Sequence, residues 1–116
     1  MQHVTTLKKN SEFRRLYAKG RSAVTPTLVI YMRRGKSGSN RVCFTVTARL
    51  GHAVVRNRVR RRLREIYRLH ETELRSGADL VVVARGRSVN AAYRELERDF
   101  LAACRKLSLL REESGS

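Results

Sequence analysis

The strongest chemical signal in the sequence is a dense group of arginines in residues 56–64. Six of these nine residues are arginine, and the segment, RNRVRRRLR, contains no acidic residue. Like charges four residues apart destabilise a helix by about 0.2–0.5 kcal/mol per pair, so internal stability does not explain the group. Guanidinium groups form forked hydrogen bonds with phosphate and stack on bases. The segment therefore favours an external polyanion, and the alternative is a solvated basic face or a localisation-type basic run.

The charge of the whole chain indicates the same kind of partner. Its 116 residues carry 26 Lys and Arg against 10 Asp and Glu, a formal net charge of +16, whereas a small domain ordinarily carries about 2–8. Nucleic acid is the leading candidate partner. A membrane surface, or a protein that is basic without such a partner, is the alternative.

Three aromatic residues could stack on bases of single-stranded RNA. Phe13 and Tyr17 lie four residues apart in a predicted helix, and Tyr31 lies in the predicted strand that follows. Such rings are more often core residues, but stacking on a base contributes about 1–3 kcal/mol. A helix beside a sheet, with rings lining the gap between them, would form a stacking platform.

The sequence contains no recognisable catalytic or metal-binding constellation. His3, His52 and His70 are scattered, and Cys43 and Cys104 lack neighbouring histidines that would complete a zinc site. Both cysteines are expected to be reduced thiols in or near the core. We therefore predict that the polypeptide itself breaks no bond and has no metal ligands of its own.

The elements that must position these residues follow from hydrophobic periodicity and turn signals. Helices are predicted at residues 11–19, 53–72 and 91–107, the last capped by Asn90, and strands at 22–24, 27–33, 41–47 and 80–84. The turn-rich connection at residues 35–40 predicts an antiparallel hairpin between the second and third strands. The order corresponds to an α+β fold, a single-domain sandwich of helices on a small mixed sheet. The ends, residues 1–9 and 111–116, are expected to be flexible.

The middle helix is predicted to pack on the core along its apolar side and to expose arginines on its outer side. Its apolar residues form one stripe at spacings of three and four: Val55, Val59, Leu63, Ile66 and Leu69. Arg62 lies near this stripe and could extend along it. No apolar run approaches the roughly 20 residues needed to cross a bilayer, and no signal peptide is evident, so a cytoplasmic location is expected.

Taken together, several motifs closely resemble the bacterial ribonuclease P protein. They are LKKNSEF at residues 7–13, RVCFTVT at 41–47, GHAVVRNRVRRRLRE at 51–65 and DLVVVAR at 79–85, which lie in the family's order over nearly the whole chain. The family often has two lysines where this chain has Ala48 and Arg49, an Asn where it has His52, and an apolar residue where it has Arg62. Those single contacts could differ from the family's.

The resemblance implies an α-β-β-β-α-β-α fold with a left-handed βαβ crossover, and a monomeric subunit of an endoribonuclease whose RNA is the catalyst. The basic helix would contact the ribonuclease P RNA, a role that passes to Arg49, Arg56, Asn57, Arg58, Arg60, Arg61 and Arg64. A cleft between the first helix and the sheet would hold the 5′ leader of precursor tRNA, a role that passes to Phe13, Tyr17 and Tyr31. Mg²⁺ would be bound mainly by the RNA partner and the substrate.

Two other classes remain open on the residues alone. A ribosomal or other structural RNA-binding protein would share the charge and the arginine helix, without needing a ring-lined cleft. A DNA-binding protein would place the helix in a major groove and would usually be a dimer.

Overall fold

A computed structural model describes residues 20–35 and 38–111 of the chain. Its principal elements are β1 (Arg21–Val24), β2 (Leu28–Arg34), β3 (Arg41–Thr45), α1 (Ala53–His70), β4 (Ala78–Ala84) and α2 (Tyr93–Lys106). Short 3-10 turns occur at Ala48–Leu50, Glu71–Glu73 and Gly86–Ser88. The α+β prediction is confirmed. The predicted N-terminal helix, with Phe13 and Tyr17, lies outside the described residues.

The four strands form one mixed sheet in the order β1-β2-β4-β3. β1 and β2 form an antiparallel hairpin, β2 and β4 are antiparallel, and β3 and β4 are parallel. The predicted hairpin between β2 and β3 is therefore wrong, because β4 lies between them. β4 is an apolar strand that is almost wholly buried, and a central position buries both of its faces. The left hand of the β3-α1-β4 crossover stays a prediction.

The two ends of the connection between β2 and β3 are hydrogen-bonded to the chain at the start of β4. The Oδ1 atom of the buried Asn40 accepts a hydrogen bond from the backbone N–H of Ala78 at 2.9 Å. The N–H of Gly35 donates to the carbonyl of Gly77 at 2.7 Å. Residues 35–40 must span two strand spacings, about 10 Å, which six residues do easily. The turn-forming residues therefore belong to a connection across the start of β4 and not to a hairpin.

Both helices cover one face of the sheet. α1 packs against α2 and β3, and α2 packs against β1 and β2. The predicted stripe of α1 is confirmed at Val59, Leu63 and Ile66, but Leu69 is 60% exposed. The buried stripe continues through Tyr67, whose ring packs edge-on against Phe44 and Phe100 at centroid distances of 6.0 and 6.4 Å. At the end of the helix the buried position is therefore that of Tyr67, and Leu69 lies on the exposed side.

The C-terminal helix has the predicted buried face, comprising Leu96, Phe100, Ala103 and Cys104, with Leu107 beyond its end. Its start differs from the prediction. The N-cap is Ala92, not Asn90, and the Glu95 carboxylate accepts a hydrogen bond from the Ala92 N–H at 3.4 Å. Ala92 has an extended backbone, the helix begins at Tyr93, and Glu95 satisfies a backbone donor at the helix start.

Two polar contacts tie the chain ends of these elements to the core. The buried carboxylate of Asp99 on α2 accepts hydrogen bonds from the Thr27 hydroxyl at 2.6 Å and the Thr27 N–H at 3.1 Å, at the start of β2. Arg111, which was expected in the flexible tail, donates from Nε to the Leu74 carbonyl at 3.0 Å. Its own N–H donates to the Glu73 carbonyl at 2.8 Å. Leu110 also bridges Leu74, so the chain past α2 is held to the segment between α1 and β4.

None of the described helices has the length and hydropathy that a bilayer crossing requires.

His70, the last residue of α1, contacts one carboxylate in the 3-10 turn that follows it and one carboxylate on α2. Its Nδ1 atom lies 2.7 Å from Glu73 and its Nε2 atom lies 2.7 Å from Glu97. Burial alone would lower the pKa of His70, but the hydrogen bonds and the charges of Glu97 and Glu73 outweigh it and raise the pKa above 6.5. With an acceptor at each nitrogen, the protonated ring satisfies both contacts.

The raised pKa of His70 predicts pH-dependent stability. The protonated ring stabilises the fold fully below pH 6.5, and this contribution is lost as pH rises through the folded pKa. Replacing His70 by Gln (His70→Gln) should therefore lower the free energy of unfolding more at pH 6 than at pH 9, as measured by urea denaturation. Glu97→Gln should reduce this pH dependence while keeping the ring. An equal effect of His70→Gln at both pH values would contradict the assignment.

Candidate nucleic-acid interface

The helix α1 presents its arginines on the side away from the core. Four residues of the helix are exposed and lie outside its buried stripe: Asn57, Arg61, Arg64 and Arg68. Arg56 and Arg60 lie on one flank, and Arg58 and Arg62 lie on the other. We define the arginine surface as the predicted RNA-contacting set: Arg49, Arg56, Asn57, Arg58, Arg60, Arg61 and Arg64.

The flanking arginines are oriented by neutral oxygen atoms. Arg56 Nε donates to the Gly51 carbonyl at 3.1 Å, and Arg60 Nη1 donates to Asn57 Oδ1 at 2.9 Å. Arg58 Nη2 donates to the carbonyl of Val89 at 3.4 Å. These contacts hold the guanidinium groups in place while their charge stays unneutralised.

Acidic side chains of the fold do not compensate the arginine surface. Within residues 20–35 and 38–111, the ion pairs involve Arg33, Arg41, His70 and Arg98, and none includes an arginine of α1. Arg61 and Arg64 donate no hydrogen bond to another described residue. The positive charge of this surface is therefore available to an external anion.

The positions that depart from the family pattern have definite surroundings. Arg49 is exposed in the 3-10 turn between β3 and α1. His52 occupies the N-cap of α1 but makes no side-chain capping bond, whereas an asparagine there could cap the helix. Arg62 is half-buried and donates to the Ala91 carbonyl at 3.3 Å, so it also holds α1 to the segment before α2.

The sheet face opposite the helices forms a second surface. In register across β2, β4 and β3 lie Tyr31, Val81 and Cys43, with Val83 beside them. Tyr31 is half-buried, so part of its side chain remains accessible. We call these four residues the strand face. Tyr31 is the predicted leader-contacting residue that the structure describes, and it is not part of the main core.

A charged row adjoins the strand face and was missed by sequence reasoning. Asp79 is fully buried, and both Arg33 and Arg41 reach it from the neighbouring strands. Arg41 donates from Nε and Nη2 at 2.9 Å each, and Arg33 donates from Nε at 3.2 Å. The row lies two residues along the strands from Tyr31, about 7 Å away. The sequence does show an aspartate, Asp79, near the start of an otherwise apolar strand. It does not show which residues pair with that aspartate, because the pairing requires β4 to lie between β2 and β3.

One carboxylate between two guanidinium groups leaves this row with a net charge of +1. Both arginine side chains remain about one quarter exposed, at 22% for Arg33 and 25% for Arg41. Because Asp79 holds them, the two cations keep a defined position at the edge of the strand face. Such a pair can bind a phosphate group with little loss of side-chain entropy.

The arginine surface and the strand face meet at β3. Burial raises the pKa of the Cys43 thiol above 9.0, while a hydrogen bond with Thr45 and the charge of Arg60 act in the opposite direction. Arg60 therefore lies close enough to Cys43 to affect its ionisation. A ligand on the strand face would lie beside the flank of α1.

The described part of the chain contains no group of three or more His, Cys, Asp and Glu residues that could hold a metal ion. These residues therefore do not fit a Mg²⁺ site. Cys43 and Cys104 are free thiols that belong to separate clusters of the structure.

Fold and surface together define a small α+β protein with an arginine-rich helix that no described carboxylate neutralises, beside a sheet face that carries two fixed guanidinium groups. Comparisons with known proteins identify its relatives. The family model for ribonuclease P matches residues 1–108. The ribonuclease P protein component of Alkaliphilus metalliredigens is 40% identical over 110 residues, which cover 95% of this chain and 99% of that protein. The component from Natranaerobius thermophilus is 38% identical, with 97% of each chain covered.

Solved structures have the same fold. The Staphylococcus aureus RNase P protein superimposes with a TM-score of 0.84 at 25% identity, covering 94% of this chain and all of that one. The protein from Thermotoga maritima superimposes with a TM-score of 0.76 at 23% identity, covering 84% and 92% of the two chains. The chain belongs to the ribonuclease P protein family.

The buried carboxylate of Asp79 predicts a large effect on stability. Asp79→Asn removes the charge that both arginines share, and it should lower the free energy of unfolding by about 2–3 kcal/mol, less than a fully buried pair because the arginines are partly exposed. Arg33→Gln should cost less, since Arg41 still pairs with the carboxylate. Urea denaturation measures both effects. A smaller loss for Asp79→Asn than for Arg33→Gln would contradict this arrangement.

Proposed function

We propose that this chain is the protein subunit of ribonuclease P, where it binds the catalytic RNA and the 5′ leader of precursor tRNA. In that role it promotes the endonucleolytic removal of the leader that produces the mature 5′ end. The observation that carries the proposal is the arginine surface, whose charge no described carboxylate neutralises. Family membership favours this role over that of a ribosomal or DNA-binding protein.

The protein's part in the reaction is to bind and orient RNA. The arginine surface would neutralise phosphates of the folded RNA subunit and fix the orientation of the chain upon it. The strand face would then hold the single-stranded leader through stacking on Tyr31 and attraction to the Arg33–Asp79–Arg41 row. Neither contact reads a particular base, which suits leaders of many sequences.

We assign hydrolysis of the phosphodiester bond to the RNA subunit with its bound Mg²⁺. The described residues contain no group of three or more metal-ligating side chains, and their part is to bind and orient RNA. The positive charge of the chain, +16, would reduce repulsion between the RNA subunit and the precursor. We place the monomeric subunit in the cytoplasm, since free Cys43 and Cys104 are typical of a reducing compartment.

Reconstitution tests the function directly. The purified chain is added to a bacterial ribonuclease P RNA at low Mg²⁺, and cleavage of a 5′-labelled precursor tRNA is followed. The chain should restore cleavage at the mature 5′ end. Failure to do so at any protein concentration, with the chain folded by circular dichroism, would contradict the proposal.

The arginine surface predicts the salt dependence of RNA binding. Arg61→Gln/Arg64→Gln should weaken binding to ribonuclease P RNA about 10-fold or more and reduce the slope of log K against log salt by about 1–2. The matched control, Arg94→Gln/Arg98→Gln on α2, removes the same formal charge from two other exposed arginines. Equal losses in both double variants would mean that total charge, and not this surface, determines binding.

The strand face predicts a leader-specific effect. Tyr31→Ala should weaken binding of a precursor with a leader about 5- to 150-fold, the equivalent of one stacked base, and leave affinity for mature tRNA unchanged. Tyr31→Phe keeps the ring and should bind like the original protein. Measurements use the reconstituted complex, and an equal loss for precursor and mature tRNA would exclude stacking on the leader.

A further inference from the structure

A cavity at one end of the sheet has no part in the surfaces described above. It lies on the helix-covered side, where β1 begins, β2 ends and β4 begins, and it has a volume of about 490 Å³. Its other walls are the turn before β4 and the chain just past α2. Ligand pockets typically measure roughly 300–1,000 Å³, so the cavity can hold one nucleotide.

Three arginines line this cavity: Arg21, Arg34 and Arg75. Arg21 reaches the end of α2, where its Nη2 and Nη1 atoms make long hydrogen bonds to the carbonyls of Lys106 and Leu107 at 3.4 and 3.5 Å. Arg34 and Arg75 are exposed, and their side chains donate no hydrogen bond to another described residue. The cavity thus has one guanidinium group in contact with the end of α2 and two that can close on a ligand.

The described lining residues include no acidic side chain. The nearest carboxylate along the strands, Asp79, lies on the opposite face and is already paired with Arg33 and Arg41. Among the described residues, no carboxylate lines this cavity, so an anion between the three guanidinium groups would lower their mutual repulsion. The chemistry matches a phosphate group, because arginine forks bind phosphate oxygens in pairs.

The floor of the cavity is apolar. Met32 is half-buried and offers apolar surface to a sugar or a base, while Leu107 and Leu109, each 2% exposed, close the cavity beneath it. An apolar floor under three guanidinium groups suits a nucleotide better than a free inorganic anion, which would use only the charged rim.

We propose that the cavity lined by Arg21, Arg34 and Arg75 binds one phosphate-bearing nucleotide of an RNA strand. It would form a third RNA contact, separate from the arginine surface and the strand face. Arg33 and Arg34 are successive residues of β2 that point to opposite faces of the sheet. The end of β2 therefore has one positive charge on each side of the sheet, Arg33 at the strand face and Arg34 at the cavity. This inference rests on the proposed RNA-binding function.

Nuclear magnetic resonance of the full chain tests occupancy at the cavity itself. Uridine 5′-monophosphate, inorganic phosphate and a short single-stranded RNA are titrated separately, and the backbone amide signals of Ser76, Gly77 and Ser108 are followed. The nucleotide and the RNA should shift these signals saturably and at lower concentration than inorganic phosphate. Equal response to inorganic phosphate would show a simple anion site, and no shift with any probe would show an empty cavity; either result overturns the proposal.

The variant Arg34→Gln/Arg75→Gln tests the role in the complex. It should abolish the amide shifts, weaken RNA binding by the reconstituted protein about 10-fold and reduce the salt slope by about 1. Arg94→Gln/Arg98→Gln is again the matched control, because Arg94 and Arg98 lie about 18 Å and 12 Å from Lys106 along α2. Thermal unfolding checks that both variants fold.

The outcome is separable from that of the proposed function. If the unsubstituted chain restores precursor cleavage but Arg34→Gln/Arg75→Gln binds RNA like the matched control, the cavity is not an RNA contact and the subunit assignment stands. If the unsubstituted chain fails to restore cleavage while uridine 5′-monophosphate still shifts the cavity amides, the cavity binds nucleotides and the subunit assignment is wrong.

Discussion

Burial of β4 on both faces and both edges is the constraint on which the rest of the structure depends. Leu80 and Val82 face the two helices, while Val81 faces the other way, and all three are fully buried. A strand this apolar is stable only in the middle of a sheet. With β4 between β2 and β3, the chain must cross over through α1. That crossover sets α1 against β3, with its arginines beside the strand face.

The same arrangement separates two kinds of arginine. Arg33 and Arg41 share one buried carboxylate, which fixes their positions at the cost of part of their charge. The arginines of α1 are oriented by carbonyl and amide oxygens instead, which hold the side chains without neutralising them. A net charge of +16 on 116 residues opposes folding by self-repulsion. An RNA partner relieves that repulsion, so binding RNA and stabilising this fold are linked.

Local patterns were sufficient for much of the fold and part of the site. The spacing of Val59, Leu63 and Ile66 predicted the helix α1 and the side of it that faces the core. It therefore also predicted that Arg61 and Arg64 point outward. The errors occurred where a partner distant in sequence decided the outcome. Leu69 fits the helical spacing, but Tyr67 fills the core between Phe44 and Phe100. Residues 35–40 have the composition of a hairpin turn, which cannot reveal that another strand enters between the two it connects.

By itself, the sequence determined the partner class, the helical rod and its charged side, because charge and periodicity are properties of neighbouring residues. Its motifs also placed the chain in its family. Only the tertiary structure decided that Asp79 pairs with both Arg33 and Arg41. It also decided that one cavity is lined by three arginines: Arg21, Arg34 and Arg75. These groups come from segments far apart in the chain, and their proximity follows from strand order and register. Register brings side chains together at distances that no spacing along the sequence encodes.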